Sequence, residues 1–160
     1  MRRALTGVGL AVALVVCGTG AWSYAQARGD DDLAYGRARD AALSDGRSAV
    51  ARLTTLDAST AGRAKSGVRE WKSVTTGPLR AELARVSPAA GVSSRGVVTD
   101  AAVTALDDRA GTAKLIATVQ VTSGSAAAER KRLEAVLSRA ADGTWKIKSL
   151  GAVPVTGESK

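Results

Sequence analysis

This chain of 160 residues has no histidine, no phenylalanine, a single cysteine, and only three Trp and two Tyr. Each shortage excludes something. Without histidine the usual general base and the commonest metal ligand are missing. With one cysteine no disulfide framework can form, so an exported domain must be held by its core. Few aromatics, and arginines scattered among aspartates, leave no stacking-and-basic platform for a nucleic acid, and none is expected as a partner. Pocket acid-base chemistry needs a carboxylate of raised pKa and an oxyanion donor such as tyrosine. Tyr24 and Tyr35 both lie near the N-terminal end, far in sequence from any expected pocket. Asp57, Asp100 and Glu134 are the carboxylates in or beside expected core elements: Asp57 reads as the end of a helix, the other two as solvent-facing strand residues. Lys65 and Ser66 cannot act as a pair, because adjacent helix positions do not face each other. No catalytic, cofactor-binding or metal-binding residue is expected, and the chain reads as non-enzymatic.

What is present first is a long uncharged run. Met1-Arg2-Arg3 precedes residues 4–27, centred on Val8 to Cys17, and Asp30, Asp31 and Asp32 come after it. A helix over residues 4–25 spans about 33 Å at roughly 1.5 Å per residue, enough for a hydrocarbon core of about 30 Å. Trp22 and Tyr24 stand where membrane-interface aromatics are expected, and the flanking charges favour a cytoplasmic N-terminus with an extracytoplasmic domain. The alternative is a cleaved secretory signal ending after Ala25-Gln-Ala27, which exports the same domain. Val16 before Cys17 is not the small residue that lipoprotein processing needs. With Arg2 and Arg3 set aside, 21 basic residues face 15 acidic ones, a weak preference for acidic partners or anionic lipid.

The remainder divides into a membrane-proximal helix (28–56), a domain of helices and antiparallel sheet (57–154) and a flexible tail (155–160). Ala42, Gly46, Ala49, Val50, Leu53 and Leu56 recur at helical steps, with Gly36 and Gly46 as weak points of roughly 1 kcal/mol each. Thr60 offers an N-cap for a second helix whose stripe is Val68, Trp71 and Val74, with Arg63, Lys65, Arg69 and Lys72 on a solvated side. Pro78 opens a third, with Leu79, Leu83 and Val86 in step. Beyond Gly91 the period becomes two. Val97, Thr99, Ala101, Val103 and Ala105 form one strand face, and Ala113, Leu115, Ala117, Val119 and Val121 another, joined through Asp107 to Gly111. After the turn Asp142-Gly143, Trp145 and Ile147 share a face with lysines opposite. Residues 126–140 are contested: local propensity favours a helix, while Leu133, Ala135 and Leu137 alternate as in a strand. Trp71, Leu115, Val119, Trp145 and Ile147 are the candidates for core or pocket lining.

The segments Ala41-Ala-Leu43, Val50 to Asp57, Thr76-Gly-Pro-Leu-Arg80, Ala102-Val103 with Ala113 to Val121, and Asp142-Gly-Thr-Trp-Lys-Ile-Lys148 together resemble the Mce-associated membrane proteins. The resemblance covers nearly the whole chain and rests on order plus anchor, since a glycine turn before a Trp-containing last strand also occurs in SnoaL-like enzymes. It implies an α+β fold: a transmembrane helix, then three helices on a curved antiparallel sheet of about four strands, the cone of nuclear transport factor two. In that cone residues 128–140 are a strand. The resemblance further implies a membrane-anchored accessory of an Mce-type lipid or sterol import system, working through a membrane protein complex. The competing function is a small apolar-ligand binder or degenerate SnoaL-like domain.

Overall fold

The computed structural model describes residues 31–153; the apolar run with Trp22 and Tyr24, and the tail 155–160, lie outside the described residues. Among the described residues no helix is long and apolar enough to cross a membrane. The elements run α1 (Asp31–Leu53), α2 (Ala61–Ser73), α3 (Gly77–Arg85), then β1 (Ser94–Asp107), β2 (Thr112–Ser123), β3 (Glu129–Arg139) and β4 (Trp145–Ala152). Of the described residues, those from Arg39, which include the whole sheet, form one compact unit, and those up to Ala38 do not belong to it. The strands make one open antiparallel sheet in the order β1-β2-β3-β4.

Local chemistry accounts for the helix starts. Thr60 caps α2, its hydroxyl accepting from the Arg63 N–H at 3.2 Å, and Pro78 lies in the first turn of α3, where the donor it lacks would be orphaned anyway. α1 ends at Leu53, so Leu56 lies beyond the helix, exchanging backbone hydrogen bonds with Ser94 at 2.8 and 2.9 Å. Val86 also falls outside its helix, as the C-cap of α3, and is exposed.

The core lies between α1 and one face of the sheet. Ala42, Ala49 and Val50 pack with Leu115, Val119, Ala135, Leu137, Trp145 and Ile147. β3 is a strand despite its helix-forming composition, because both neighbours hold it: β2 pairs it along Glu129 to Ser138 and β4 along Leu133 to Arg139. Burying Ala135 and Leu137 in a two-sided ladder outweighs propensity differences of a few tenths of a kcal/mol per residue.

Two of the faces expected from sequence need correction. In β1 the alternation is broken twice, with Thr99 and Thr104 as extra residues in the register against β2. Each bulge inverts the parity of the strand residues beyond it. The core side therefore reads Val98, Ala101, Val103, Leu106, and Val97 faces out at 50 % exposure. Trp71 is half-buried and stands apart from the core cluster. Its indole N–H donates to the carbonyls of Arg52 at 2.8 Å and Thr55 at 3.0 Å, satisfying acceptors at the C-terminal end of α1. Trp145 does join the core, with the Arg139 guanidinium 5.5 Å from its ring centre.

The edges of the sheet are partly covered. The α2–α3 connection adds a short parallel bridge to β4, with Thr76 N–H donating to Ile147 O at 2.9 Å and Ile147 N–H to Val74 O at 3.0 Å. Thr75, fully buried there, donates its hydroxyl to Trp71 O at 3.0 Å.

Candidate functional site

Of the five residues expected as core or pocket lining, four are solid core. Leu115, Val119 and Ile147 are at 0 % exposure and Trp145 at 3 %. The helix lies close because position 46 has no side chain: a Cβ on Gly46 would stand 2.8 Å from Leu115 Cδ1 and 2.9 Å from Leu137 Cδ2. The weak point in the helix is thus the contact that lets α1 sink onto the sheet. The helix-to-sheet interior is filled by these side chains.

Open space lies to one side, in a groove of about 720 Å³ between α1, the loop after it and the N-terminal half of β1. One wall is a helical stripe, Ser44, Arg47, Ser48 and Ala51, at steps of three and four. The other is the free edge of β1, whose outward backbone groups are already engaged. Arg47 Nη2 donates to Val98 O at 3.2 Å, the Thr55 hydroxyl accepts from Gly96 N–H at 3.1 Å and donates to Gly96 O at 3.4 Å, and Leu56 pairs with Ser94. These contacts run in order along the strand and blunt an edge that would otherwise template pairing with another chain.

Asp57 closes the far end of the groove. Its Oδ1 accepts from the Ser59 hydroxyl at 2.7 Å and the Ser59 N–H at 3.0 Å, and its Oδ2 from Arg63 at 2.8 Å. The Ser59 hydroxyl first, then its N–H and the Arg63 guanidinium, hold this carboxyl well below the usual carboxylate range. Asp142 is lowered in the same way by the Thr144 hydroxyl and N–H, with Lys146 adding a smaller charge effect. Both therefore serve as turn-fixing anions, with the opposite of the raised pKa that a general acid requires. A carboxylate whose folded pKa lies below its unfolded one stabilises above the unfolded value, about 4, and loses that contribution as pH falls through the folded value. The melting temperature, followed by circular dichroism from pH 7 to pH 2, is expected to drop on the acid side, with a shallower limb in Asp57→Asn and Asp142→Asn. Unchanged limbs in both variants would mean that these contacts do not persist in solution.

The carboxylates singled out from sequence do not converge. Asp57 lies at the groove, Asp100 is exposed at the first bulge of β1, and Glu134 is half-buried on the other face of the sheet, between Ile116 and Gly151 in the register. Lys65 and Ser66 are both exposed on α2. Sequence reasoning missed Asp45, whose Oδ2 accepts from the Trp145 N–H at 2.9 Å and so ties α1 to the first residue of β4. Its step of one residue from Gly46 was the signal available, since a polar residue beside a buried helix stripe needs a partner. Among the described residues no group of three or more Cys, Asp or Glu side chains could hold a metal ion.

No family model and no curated protein matches this chain. Among solved structures, one from Catenulispora acidiphila, determined at 2.5 Å, is similar at 16% identity over 81% of this chain and 91% of that chain, with a TM-score of 0.37. A likeness of that degree adds nothing to the fold described above.

Proposed function

We propose that this chain is a non-enzymatic, extracytoplasmic accessory protein held at the cell membrane by residues 4–27, and that it serves as a subunit or stabiliser of an Mce-type lipid or sterol import system. The observation that carries the reading is the filled interior: with Leu115, Val119 and Ile147 at 0 % exposure, a partner meets this domain on its surface. The order of three helices followed by four hairpin-linked strands is the order that the resemblance to Mce-associated proteins implies, and it supports the same reading. The chemistry of the carboxylates points the same way, since Asp57 is spent on Ser59 and Arg63.

The test is complementation of a deletion strain. Asp57→Asn, Asp100→Asn and Glu134→Gln are each expected to keep activity within a few-fold of the parent. An exported form starting at Arg28 is expected to lose it, because tethering raises local concentration and fixes orientation near a membrane complex. The tagged full chain should co-purify with the permease subunits of a lipid importer. A dead but folded carboxylate variant, together with a working untethered domain, would replace this reading with a catalyst or ligand binder. The second reading, an apolar-ligand binder, is favoured by the groove beside α1 rather than by the interior.

A further inference from the structure

We propose that Asp142-Gly143, in the turn between β3 and β4, is the site at which this chain converts to isoaspartate, and that Thr144 sets the pace. The inference does not depend on the accessory role. It starts from one more absence: the chain contains no asparagine, so the faster deamidation route to the same product does not exist. Aspartate precedes glycine at only two places, Asp45-Gly46 and Asp142-Gly143. Glycine matters because the reaction needs the following backbone nitrogen to reach the side-chain carboxyl carbon, and a residue without Cβ leaves that approach open and the backbone free to turn.

The structure separates the two pairs. Asp45 and Gly46 lie inside α1, where backbone N–H groups are committed to the helix. Gly46 is buried, without room for a Cβ beside Leu115 and Leu137, and Asp45 Oδ2 is held by the Trp145 N–H at 2.9 Å. Reaction there has to open the helix over the core. Asp142, Gly143 and Thr144 are all exposed, and a Cβ on Gly143 would meet nothing within 4 Å. Reaction here asks only for local motion of a turn. The Gly143 nitrogen bonds to Asp142 Cγ, its proton and the carboxyl OH leave as water, and a succinimide ring closes. Water then opens the ring; breaking its bond from nitrogen to the α-carbonyl leaves the backbone running through Cβ and Cγ, with no net change in mass. Thr144 restrains the first step. Its hydroxyl donates to Asp142 Oδ1 at 2.6 Å and its N–H at 3.0 Å, which keeps the carboxyl as an anion with no OH to lose. The attacking nitrogen is engaged as well, since Gly143 N–H donates to Ala140 O at 2.9 Å. The product inserts a backbone atom into a turn closed by Ala140 N–H on Thr144 O at 2.8 Å, directly before the buried Trp145.

The test ages the full chain in phosphatidylcholine nanodiscs at neutral pH, digests it with trypsin and follows two peptides, residues 140–146 and 40–47, by chromatography and mass spectrometry. Isoaspartate is recognised by unchanged mass, shifted elution and resistance to a protease that cuts before aspartate. It is expected to accumulate in peptide 140–146 and not in 40–47, whereas ageing in urea should convert both at similar rates. Thr144→Val and Thr144→Ala should each speed conversion by about ten-fold, the effect of losing a charge-assisted hydrogen bond. Thr144→Ser keeps the hydroxyl and should age as the parent does, which separates the hydrogen bond from a general loosening of the turn. Asp142→Glu should form no isomer there, because its ring would need a further member. The proposal is overturned if peptide 40–47 converts as fast as 140–146 in the folded chain, if neither converts when folded although both do in urea, or if Thr144→Val and Thr144→Ala age at the parent rate.

Discussion

Trp145→Ala is expected to cost about 3 to 5 kcal/mol and Trp71→Ala only about 1 to 2 kcal/mol, although both are large aromatic truncations. The difference comes from where each ring lies. Trp145 is at 3 % exposure within the cluster of Leu115, Leu137 and Ile147, so removing it leaves a cavity against side chains that are themselves fully buried. It also removes the ring beneath Arg139, whose other attachment is Asp108 at 2.9 Å. Trp71 is half-buried outside that cluster, and what its loss releases is one N–H shared by the carbonyls of Arg52 and Thr55. Those carbonyls lie near enough to the surface for water to replace it. Urea unfolding of the full chain followed by circular dichroism measures both. A domain with about 5 to 15 kcal/mol in hand survives the second loss and can be unfolded by the first. Equal losses would place Trp71 in the core and contradict the arrangement of α2.

That asymmetry marks the limit of what the sequence discloses. Trp71 lies in register with Val68 on α2, and nothing in the spacing distinguishes a stripe that enters a core from one that clamps the end of another helix. The distinction is tertiary. β2 was fully legible, because its alternation from Ala113 to Val121 is unbroken and matches the observed burial. β1 was legible only in part: Thr99 and Thr104 are extra residues whose effect is to swap faces, and a bulge leaves no mark in a sequence that alternates small and β-branched residues on both sides. β3 went against local propensity. Its strand state was implied by the family resemblance and is explained by its two ladders, not by its composition.

The site was less legible than the fold. Apart from Trp71, the interior positions named from sequence are real core, but whether facing side chains leave a cavity depends on how near the helix comes to the sheet. That distance is set by Gly46, which in sequence looks like a flaw in α1. The groove draws its residues from α1, the loop after it and β1, with Arg47 and Val98 51 positions apart. No local pattern links them. Asp57 was visible as a helix-ending carboxylate, and its partners Ser59 and Arg63 lie close enough in the chain to have been read as a turn.

The second large effect is expected at Gly96, in the floor of that groove. A Cβ there would collide with Thr54, 2.5 Å from its Cβ and 3.2 Å from its carbonyl oxygen, besides meeting its hydroxyl. Thr54 cannot swing aside cheaply, because its hydroxyl is bound to Val50 O at 2.9 Å and Ala51 O at 3.2 Å. Gly96 is buried, and its own N–H and carbonyl are held by the Thr55 hydroxyl, so yielding by the strand breaks those contacts too. Gly96→Ala should therefore cost about 2 to 3 kcal/mol, the upper part of the range for an inserted carbon in a packed site. Gly151→Ala supplies the contrast: its Cβ meets nothing within 4 Å, and stability should change by less than about 0.5 kcal/mol. Thr54→Gly removes the colliding side chain, so in a double-mutant cycle the pair should cost less than the sum of the singles by about 1 to 2 kcal/mol. Strict additivity would mean that the loop after α1 does not rest on β1, and the groove built from that contact would then have no floor.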